Sequence, residues 1–246
     1  MTMNFTRQAL VACAALAFGN AHAAPAFKAD ITGQGPAVIL IPGLACDATM
    51  WRGQLPALSR WQPQVADAHA QCESIPAMAA ALLERHPGPL VLCGASMGGM
   101  IAMEAARQAP ERIAGLALLG TDARPDSAEM TALREAAIEL FEQGRVAEVI
   151  EPNIAFAFHP SRAGDRALTQ GYLDFVLGAG AAQLIRQNSA VIARPDAREH
   201  LPRVRCPVLV AVGDADQLTP PERSREIAAL VPQARLVLVP ECGHML

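Results

Sequence analysis

The chain has 246 residues, of which 52% are hydrophobic and 18% are charged. This composition is too apolar for a disordered protein, and the length suits one domain with a sizeable core. The formal net charge is −4 and no run of Lys or Arg occurs, so the chain offers no basic surface that would attract nucleic acid. We therefore expect a globular protein without nucleic-acid partners.

The first residues have the pattern of a secretory signal peptide. Arg7 supplies a positive charge, residues 9–18 form a short apolar stretch, and residues 21–23 (Ala-His-Ala) have the small side chains of a cleavage site. The apolar stretch is too short to span a bilayer. These features predict a signal peptide over residues 1–23, followed by a mature periplasmic or secreted protein, residues 24–246, without stable membrane insertion.

The cysteines leave two questions open. Cys13 ends a short stretch, residues 10–13, that also matches a lipoprotein-type signal. The later cysteines lack the spacing of a metal site, and their odd number leaves at least one thiol free in a monomer. They are Cys46, Cys72, Cys93, Cys206 and Cys242. A disulfide between Cys46 and Cys72 is compatible with an oxidising compartment, but the sequence does not establish it.

Short apolar runs alternate with amphipathic stretches along the chain, which is typical of parallel strands joined by crossover helices. The runs are apolar throughout, as expected of strands that are covered on both faces. They cover residues 38–41, 90–93, 116–119, 208–212 and 236–239. Helical periodicity is found over residues 78–85, 97–108 and 222–230. The pattern predicts an α/β protein with a mainly parallel sheet covered by helices on both faces.

One long interval interrupts this alternation. No strand-length apolar run lies between about residues 122 and 200. Helical spacing is instead found over residues 127–141, 165–177 and 181–192. We therefore predict a helical cap, inserted between two strands of the sheet at about residues 122–200.

The segment after the second predicted strand carries a Gly-x-Ser-x-Gly motif, residues 94–98, which runs directly into a predicted helix. A serine on such a tight turn has a strained backbone, and glycines beside it leave room for the neighbouring strand and helix. The start of the helix directs its dipole and free N–H groups toward developing negative charge. This context predicts Ser96 as a nucleophile.

Candidate partners for the serine follow two later strands. Asp214 and Asp216 come after the strand at 208–212, and His244 comes after the last strand. Open α/β sheets place their sites at such carboxyl ends of strands. A serine needs a base to become a good nucleophile, and the base needs a third group to fix its tautomer. We predict His244 as the base, and the candidate acids are Asp216, Asp214 and Asp122.

These motifs and their order resemble the α/β-hydrolase superfamily, over nearly the whole chain from about residue 27 to its end. The Gly-x-x-Asp pattern that ends at Asp216 is similar to the acid loop of that family, and Gly-His at 243–244 is similar to its histidine loop. The resemblance implies that Asp216 orients His244 and that His244 takes the proton from Ser96. Members of the superfamily that remove halogens carry a carboxylate at the nucleophile position. The serine at position 96 therefore argues against dehalogenation.

Two backbone N–H groups are expected to form an oxyanion hole. One belongs to Met97, the residue after the nucleophile. The segment Ile-Pro-Gly-Leu at residues 41–44 resembles the His-Gly loop of the family, with Pro42 in place of the usual His. The resemblance implies Leu44 as the second donor, and a simple turn at the end of the strand is the alternative.

Members of the superfamily usually continue into a further helix after the histidine, whereas this sequence ends two residues after His244. Without such a helix, we expect part of one sheet face to be less covered. We also expect the histidine loop to be more mobile.

The predicted cap supplies two candidate substrate-binding residues, Phe156 and Phe158, although apolar side chains at this spacing also suit a plain core. We predict a serine hydrolase that cleaves small uncharged esters or lactones through an acyl-enzyme, without a metal or an organic cofactor. Carbon–carbon bond hydrolysis, perhydrolysis and acyl transfer use the same residues and stay open as alternatives. A ligand-binding protein of the same fold with little turnover is a further alternative.

Overall fold

The computed structural model describes residues 35–162 and 164–245. The predicted signal peptide, residues 1–23, and Cys13 lie outside these residues, so export stays a prediction. Across the described part of the chain, none of the helices combines the length and the apolar character that a membrane span requires.

Six parallel strands form one sheet, in the order β2-β1-β3-β4-β5-β6. The predicted parallel sheet is confirmed, and each predicted strand is extended by one to three residues. The prediction missed β2, because a two-residue edge strand of sequence Gln-Val has no apolar run. The strands are β1 Ala37–Ile41, β2 Gln64–Val65, β3 Leu90–Ala95, β4 Ile113–Leu119, β5 Val208–Gly213 and β6 Ala234–Val239.

Helices cover both faces of the sheet, because alternate strand residues point to opposite sides. Ile39 and Ile41 pack with helices α2, α3 and α7 on one face. Val38 and Leu40 pack with α1 and with Trp51 on the other. These helices are α1 Leu55–Leu58, α2 Ile75–Arg85, α3 Met97–Gln108 and α7 Pro221–Leu230. Helix α3 has its predicted bounds.

The cap consists of the three helices between β4 and β5, which are α4 Ala128–Glu142, α5 Val146–Ala157 and α6 Arg166–Ile192. Gly180 has non-helical angles, φ 77° and ψ 158°, and divides α6 close to where the sequence predicts two separate helices. Helix α5 was not predicted, because Pro152 lies in its interior and proline is a strong helix breaker. A small apolar cluster joins the cap to the main domain through Ala45, Phe141 and Leu184.

A buried ion pair holds together the two chain segments that enter and leave the cap. Asp126 lies just before α4, and Arg194 lies just after α6. Their side chains are 6% and 5% exposed, and a carboxylate oxygen of Asp126 lies 2.8 Å from Nη2 of Arg194. The other carboxylate oxygen lies 2.7 Å from Nε of Arg134, on α4. One carboxylate therefore joins both ends of the cap.

We predict that Asp126→Asn lowers the free energy of unfolding by about 3 kcal/mol, because it leaves the buried Arg194 guanidinium without its counter-charge. For a domain of this size, that loss corresponds to roughly 6–12 °C in Tm. Chemical and thermal denaturation measure the change. Glu148→Gln is the matched control, because it removes an exposed ion pair with Arg145 and should leave Tm unchanged. Equal effects of the two substitutions would contradict the proposed role of the buried pair.

Candidate active site

Ser96 occupies a strained turn between β3 and α3. Its angles are φ 53° and ψ −118°, in a region that residues other than glycine rarely adopt. The motif needs glycine on both sides of the serine because a side chain would clash there. A Cβ on Gly94 would lie 2.2 Å from the carbonyl oxygen of Gly98, and a Cβ on Gly98 would lie 2.1 Å from the carbonyl oxygen of Ile41. The predicted nucleophile elbow thus has the backbone geometry that its motif implies.

The end of β4 holds this turn in place. The amide of Ser96 donates to the carbonyl oxygen of Leu119, at 2.9 Å. The buried hydroxyl of Thr121 donates to the carbonyl oxygen of Ser96, at 2.7 Å. No motif in the sequence singled out Thr121, although it satisfies a backbone group of the strained residue. These bonds fix the backbone of Ser96 while the residue stays partly exposed.

Asp216 and His244 lie in the loops that follow β5 and β6 and form a hydrogen-bonded pair. Nδ1 of His244 lies 2.9 Å from Oδ2 of Asp216. The other carboxylate oxygen accepts the amides of Leu218 and Thr219, both at 2.9 Å. The hydroxyl of Thr219 donates to Oδ2 at 2.8 Å. Both oxygens of this buried carboxylate therefore accept hydrogen bonds, which fix the orientation of the Asp216 side chain.

Burial alone would raise the pKa of Asp216, but hydrogen bonds from His244 and Thr219 and the electrostatic effect of His244 outweigh burial and hold that pKa below its ordinary value. Asp216 is consequently ionised at neutral pH. Because an ionised carboxylate only accepts hydrogen bonds, Nδ1 of His244 carries the proton. The other ring nitrogen, Nε2, is left as the basic atom.

The two other candidate acids have different partners. Asp214 accepts the amides of Glu241 and Cys242, both at 3.2 Å, and so ties the loop after β5 to the loop after β6. Asp122 lies 3.2 Å from Nε of Arg223 and accepts the amide of Arg124. Of the three carboxylates that the sequence left open, Asp216 is the one hydrogen bonded to His244.

The serine turn and the acid–histidine pair both lie beside the end of β4, at the carboxyl edge of the sheet. Leu119, which accepts the amide of Ser96, is followed by Gly120 with φ 47°. A Cβ on Gly120 would lie 3.2 Å from Oδ2 of Asp216 and 3.5 Å from Nδ1 of His244. The end of β4 therefore contacts both the serine turn and the pair.

A family model described as the alpha/beta hydrolase fold matches residues 36–246 of the chain. The chain belongs to the alpha/beta hydrolase family.

Several relatives of this hydrolase are known. A pimeloyl-[acyl-carrier protein] methyl ester esterase of Nitrosomonas europaea is 28% identical over 229 residues, which cover 87% of this chain and 91% of that protein. The structure of a thermophilic esterase from Thermogutta terrifontis, with malate bound, matches with a TM-score of 0.76 and 29% identity, covering 86% of this chain and 84% of that one. The structure of the enol-lactonase from Burkholderia xenovorans LB400 matches with a TM-score of 0.75 and 22% identity, covering 88% of this chain and 86% of that one. The last likeness concerns the fold alone.

The loop after β1 of the hydrolase, residues 43–46, is called here the oxyanion loop. It lies against the serine turn, because a Cβ on Gly43 would be 3.3 Å from Cβ of Ser96. Within the described residues, the amide of Leu44 has no hydrogen-bond partner. Met97 is the first residue of α3, so its N–H has no partner within the helix. Both predicted oxyanion donors thus belong to segments that adjoin Ser96.

The cap contacts the histidine loop through the end of α5. A Cβ on Gly243 would lie 2.4 Å from the carbonyl carbon of Phe158, and the amide of Met245 donates to the carbonyl oxygen of Ala157 at 2.8 Å. Phe158 is buried and packs edge-on against Tyr172 of α6, with ring centroids 5.5 Å apart. Phe156, by contrast, is 40% exposed. Sequence reasoning missed Tyr172, which no motif marks.

Two cysteines lie in the loops of the site: Cys46 in the oxyanion loop and Cys242 in the histidine loop. The described cysteines are all free, so the disulfide between Cys46 and Cys72 that the sequence left open is not formed. Burial raises the pKa of Cys46 to about 12 and that of Cys242 to about 11. At neutral pH neither thiol is therefore a thiolate that would compete with the serine as a nucleophile.

Proposed function

We propose that this alpha/beta hydrolase is a serine hydrolase that cleaves small carboxylic esters or lactones through an acyl-enzyme on Ser96. One observation carries the proposal: the ionised Asp216 holds Nδ1 of His244 at 2.9 Å, at the sheet edge where Ser96 lies partly exposed on a strained turn. The similarity to a methyl ester esterase and to a thermophilic esterase supports ester hydrolysis.

In the first half of the reaction, Nε2 of His244 takes the hydroxyl proton of Ser96 while Oγ attacks the carbonyl carbon of the ester. The negative oxygen of the tetrahedral intermediate is bound by the amides of Met97 and Leu44. The carbon–oxygen bond to the alcohol then breaks, and His244 passes its proton to the leaving oxygen. The products of this half are an alcohol and an acylated Ser96.

In the second half, a water molecule replaces the alcohol. His244 takes a proton from the water, whose oxygen attacks the acyl carbon and forms a second intermediate in the same oxyanion hole. The bond to Oγ then breaks, Ser96 regains its proton from His244, and the carboxylic acid leaves. Asp216 stabilises the charged imidazole in both halves without giving up a proton.

The cap favours uncharged substrates. The backbone of Phe158 contacts Gly243 of the histidine loop, and the ring of Phe158 packs edge-on against Tyr172, so the cap places an aromatic pair next to this loop. Burial raises the pKa of Tyr172 well above its usual range, so the hydroxyl stays neutral. A charged group bound here would lose its water shell without gaining a counter-charge from these rings. We therefore propose that this side of the site binds a short apolar acyl or alcohol group.

We predict that p-nitrophenyl esters with short acyl chains are cleaved with a higher kcat/KM than those with long chains, because the end of α5 packs directly on the histidine loop and restricts the space beside it. The measurement is kcat/KM across acyl chains of increasing length. Ser96→Ala is the control for every substrate and should lower kcat by roughly 10^3-fold or more. A clear preference for long chains would contradict a restricted acyl site, and activity retained by folded Ser96→Ala protein would contradict the assignment of Ser96 as the nucleophile.

We further predict that Asp216→Asn lowers kcat by roughly 10^4-fold, because asparagine no longer fixes the tautomer of His244. Asp214→Asn and Asp122→Asn are the matched controls, since each removes one carboxylate from a nearby loop and leaves the pair intact. Both should retain most of the activity on the same ester. If either control lost as much kcat as Asp216→Asn, the role of the acid would instead belong to the residue changed in that control.

A further inference from the structure

A fully buried glutamine of the cap is hydrogen bonded to the main domain at the oxyanion loop. Gln187 lies on α6 and is 0% exposed. Its Oε1 accepts the amide of Ala45 at 2.7 Å, and its Nε2 donates to the carbonyl oxygen of His69 at 2.9 Å. Both ends of the amide are therefore used, and one of them holds the residue that follows Leu44.

His69 adds a second bond to the same loop. Its Nε2 donates to the carbonyl oxygen of Cys46 at 2.7 Å. Burial lowers the pKa of His69, so the ring is neutral and carries its proton on the nitrogen that faces this carbonyl. Gln187 and His69 thus bind adjacent residues of the oxyanion loop and are joined to each other.

The oxyanion loop needs such support because of its backbone conformation. Ala45 has φ 60°, in the left-handed region that costs free energy for any residue with a Cβ. A non-glycine residue keeps this conformation only where its surroundings hold it there. The bond from Gln187 is made to Ala45 itself, one residue after the Leu44 amide.

We propose that Gln187 is a positioning residue for the oxyanion hole. It holds Ala45 in its left-handed conformation and thereby fixes the direction of the Leu44 amide beside Ser96. The cap is then part of the catalytic machinery as well as a cover, since a cap without this bond leaves the amide of Ala45 without its partner. The proposal rests on the proposed function, in which Leu44 donates to the oxyanion.

A positioning role differs measurably from a merely structural one. The oxyanion carries its full charge only in the tetrahedral intermediate and the transition states that flank it, so a displaced donor weakens those states and leaves the bound ester unaffected. Loss of Gln187 should therefore lower kcat and leave KM nearly unchanged. A glutamine that only attaches the cap would change stability or KM instead.

The test compares Gln187→Met with Asn188→Leu. Each replaces a buried polar side chain by an apolar one of similar shape, at neighbouring positions of α6. Asn188 binds Leu184 and Arg134 within the cap and has no bond to the oxyanion loop. On a p-nitrophenyl ester, Gln187→Met should lower kcat by about 10- to 100-fold with KM changed less than about twofold. Asn188→Leu should leave kcat within about twofold of the wild type.

An aryl trifluoromethyl ketone provides a second readout, because its adduct with Ser96 carries the charged oxygen of the intermediate. Its inhibition constant should rise with Gln187→Met by the same factor as kcat/KM falls. The Kd of the uncleaved ester, measured with Ser96→Ala, should be the same with and without Gln187→Met. A fall in kcat that is shared by Asn188→Leu, or an effect confined to KM, would overturn the proposal.

Gln187→Glu covers the case in which the methionine variant does not fold. Glutamate keeps the size of the side chain and an acceptor for the amide of Ala45, so its kcat should lie between those of the wild type and Gln187→Met. A kcat no higher than that of a folded Gln187→Met would overturn the proposal, because the acceptor for the amide of Ala45 is kept, as would a change confined to KM. The proposed function would be contradicted by a different result, namely ester hydrolysis that survives in Ser96→Ala while Gln187 is intact.

Discussion

The close approach of helix α3 to strand β1 constrains the whole carboxyl edge of the sheet. Gly98 lies so near the end of β1 that a Cβ would stand 2.1 Å from the carbonyl oxygen of Ile41. The helix must therefore begin directly beside β1, and Ser96, its N-terminal flanking residue, must lie beside the loop that leaves β1. A candidate nucleophile and a candidate oxyanion donor are brought together by packing that involves neither of their reacting atoms.

The rest of the site is assembled on this contact by the order of the strands. Because β4 and β5 follow β3 in the parallel sheet, the ends of these strands lie side by side, with β6 next to β5. Leu119 at the end of β4 holds the amide of Ser96, and Gly120 contacts the pair of Asp216 and His244. Residues that are far apart in the sequence therefore converge at one edge of the sheet.

The sequence predicted the features that depend on local rules. Continuous apolar runs predicted the buried strands, and glycines on both sides of Ser96 predicted the turn, because both patterns follow from steric requirements of a few neighbouring residues. Strand β2 and helix α5 were missed for the same reason: a two-residue edge strand has no apolar run, and Pro152 interrupts the helical pattern. The sequence left three candidates for the carboxylate that orients His244. Only the structure, through the distance of each carboxylate from His244, could distinguish them.

Thr121, Tyr172 and Gln187 could not be found in this way. The hydroxyl of Thr121 bonds a residue 25 positions away, and Gln187 bonds an amide 142 positions away. Nothing in the neighbouring sequence marks such partners, since the contacts exist only once the sheet edge and the cap are assembled. The cap thereby contributes to the geometry of the site as well as to its closure, with Gln187 on the oxyanion loop and Phe158 on the histidine loop.

The most direct test of the account is whether Ser96 is chemically activated. Purified protein would be treated with a fluorophosphonate probe, digested, and analysed by mass spectrometry to identify the modified residue. Activation by His244 and stabilisation by the oxyanion hole predict one adduct per chain, located on Ser96. An unmodified protein, or an adduct on a different residue, would contradict the assignment of Ser96 as the nucleophile.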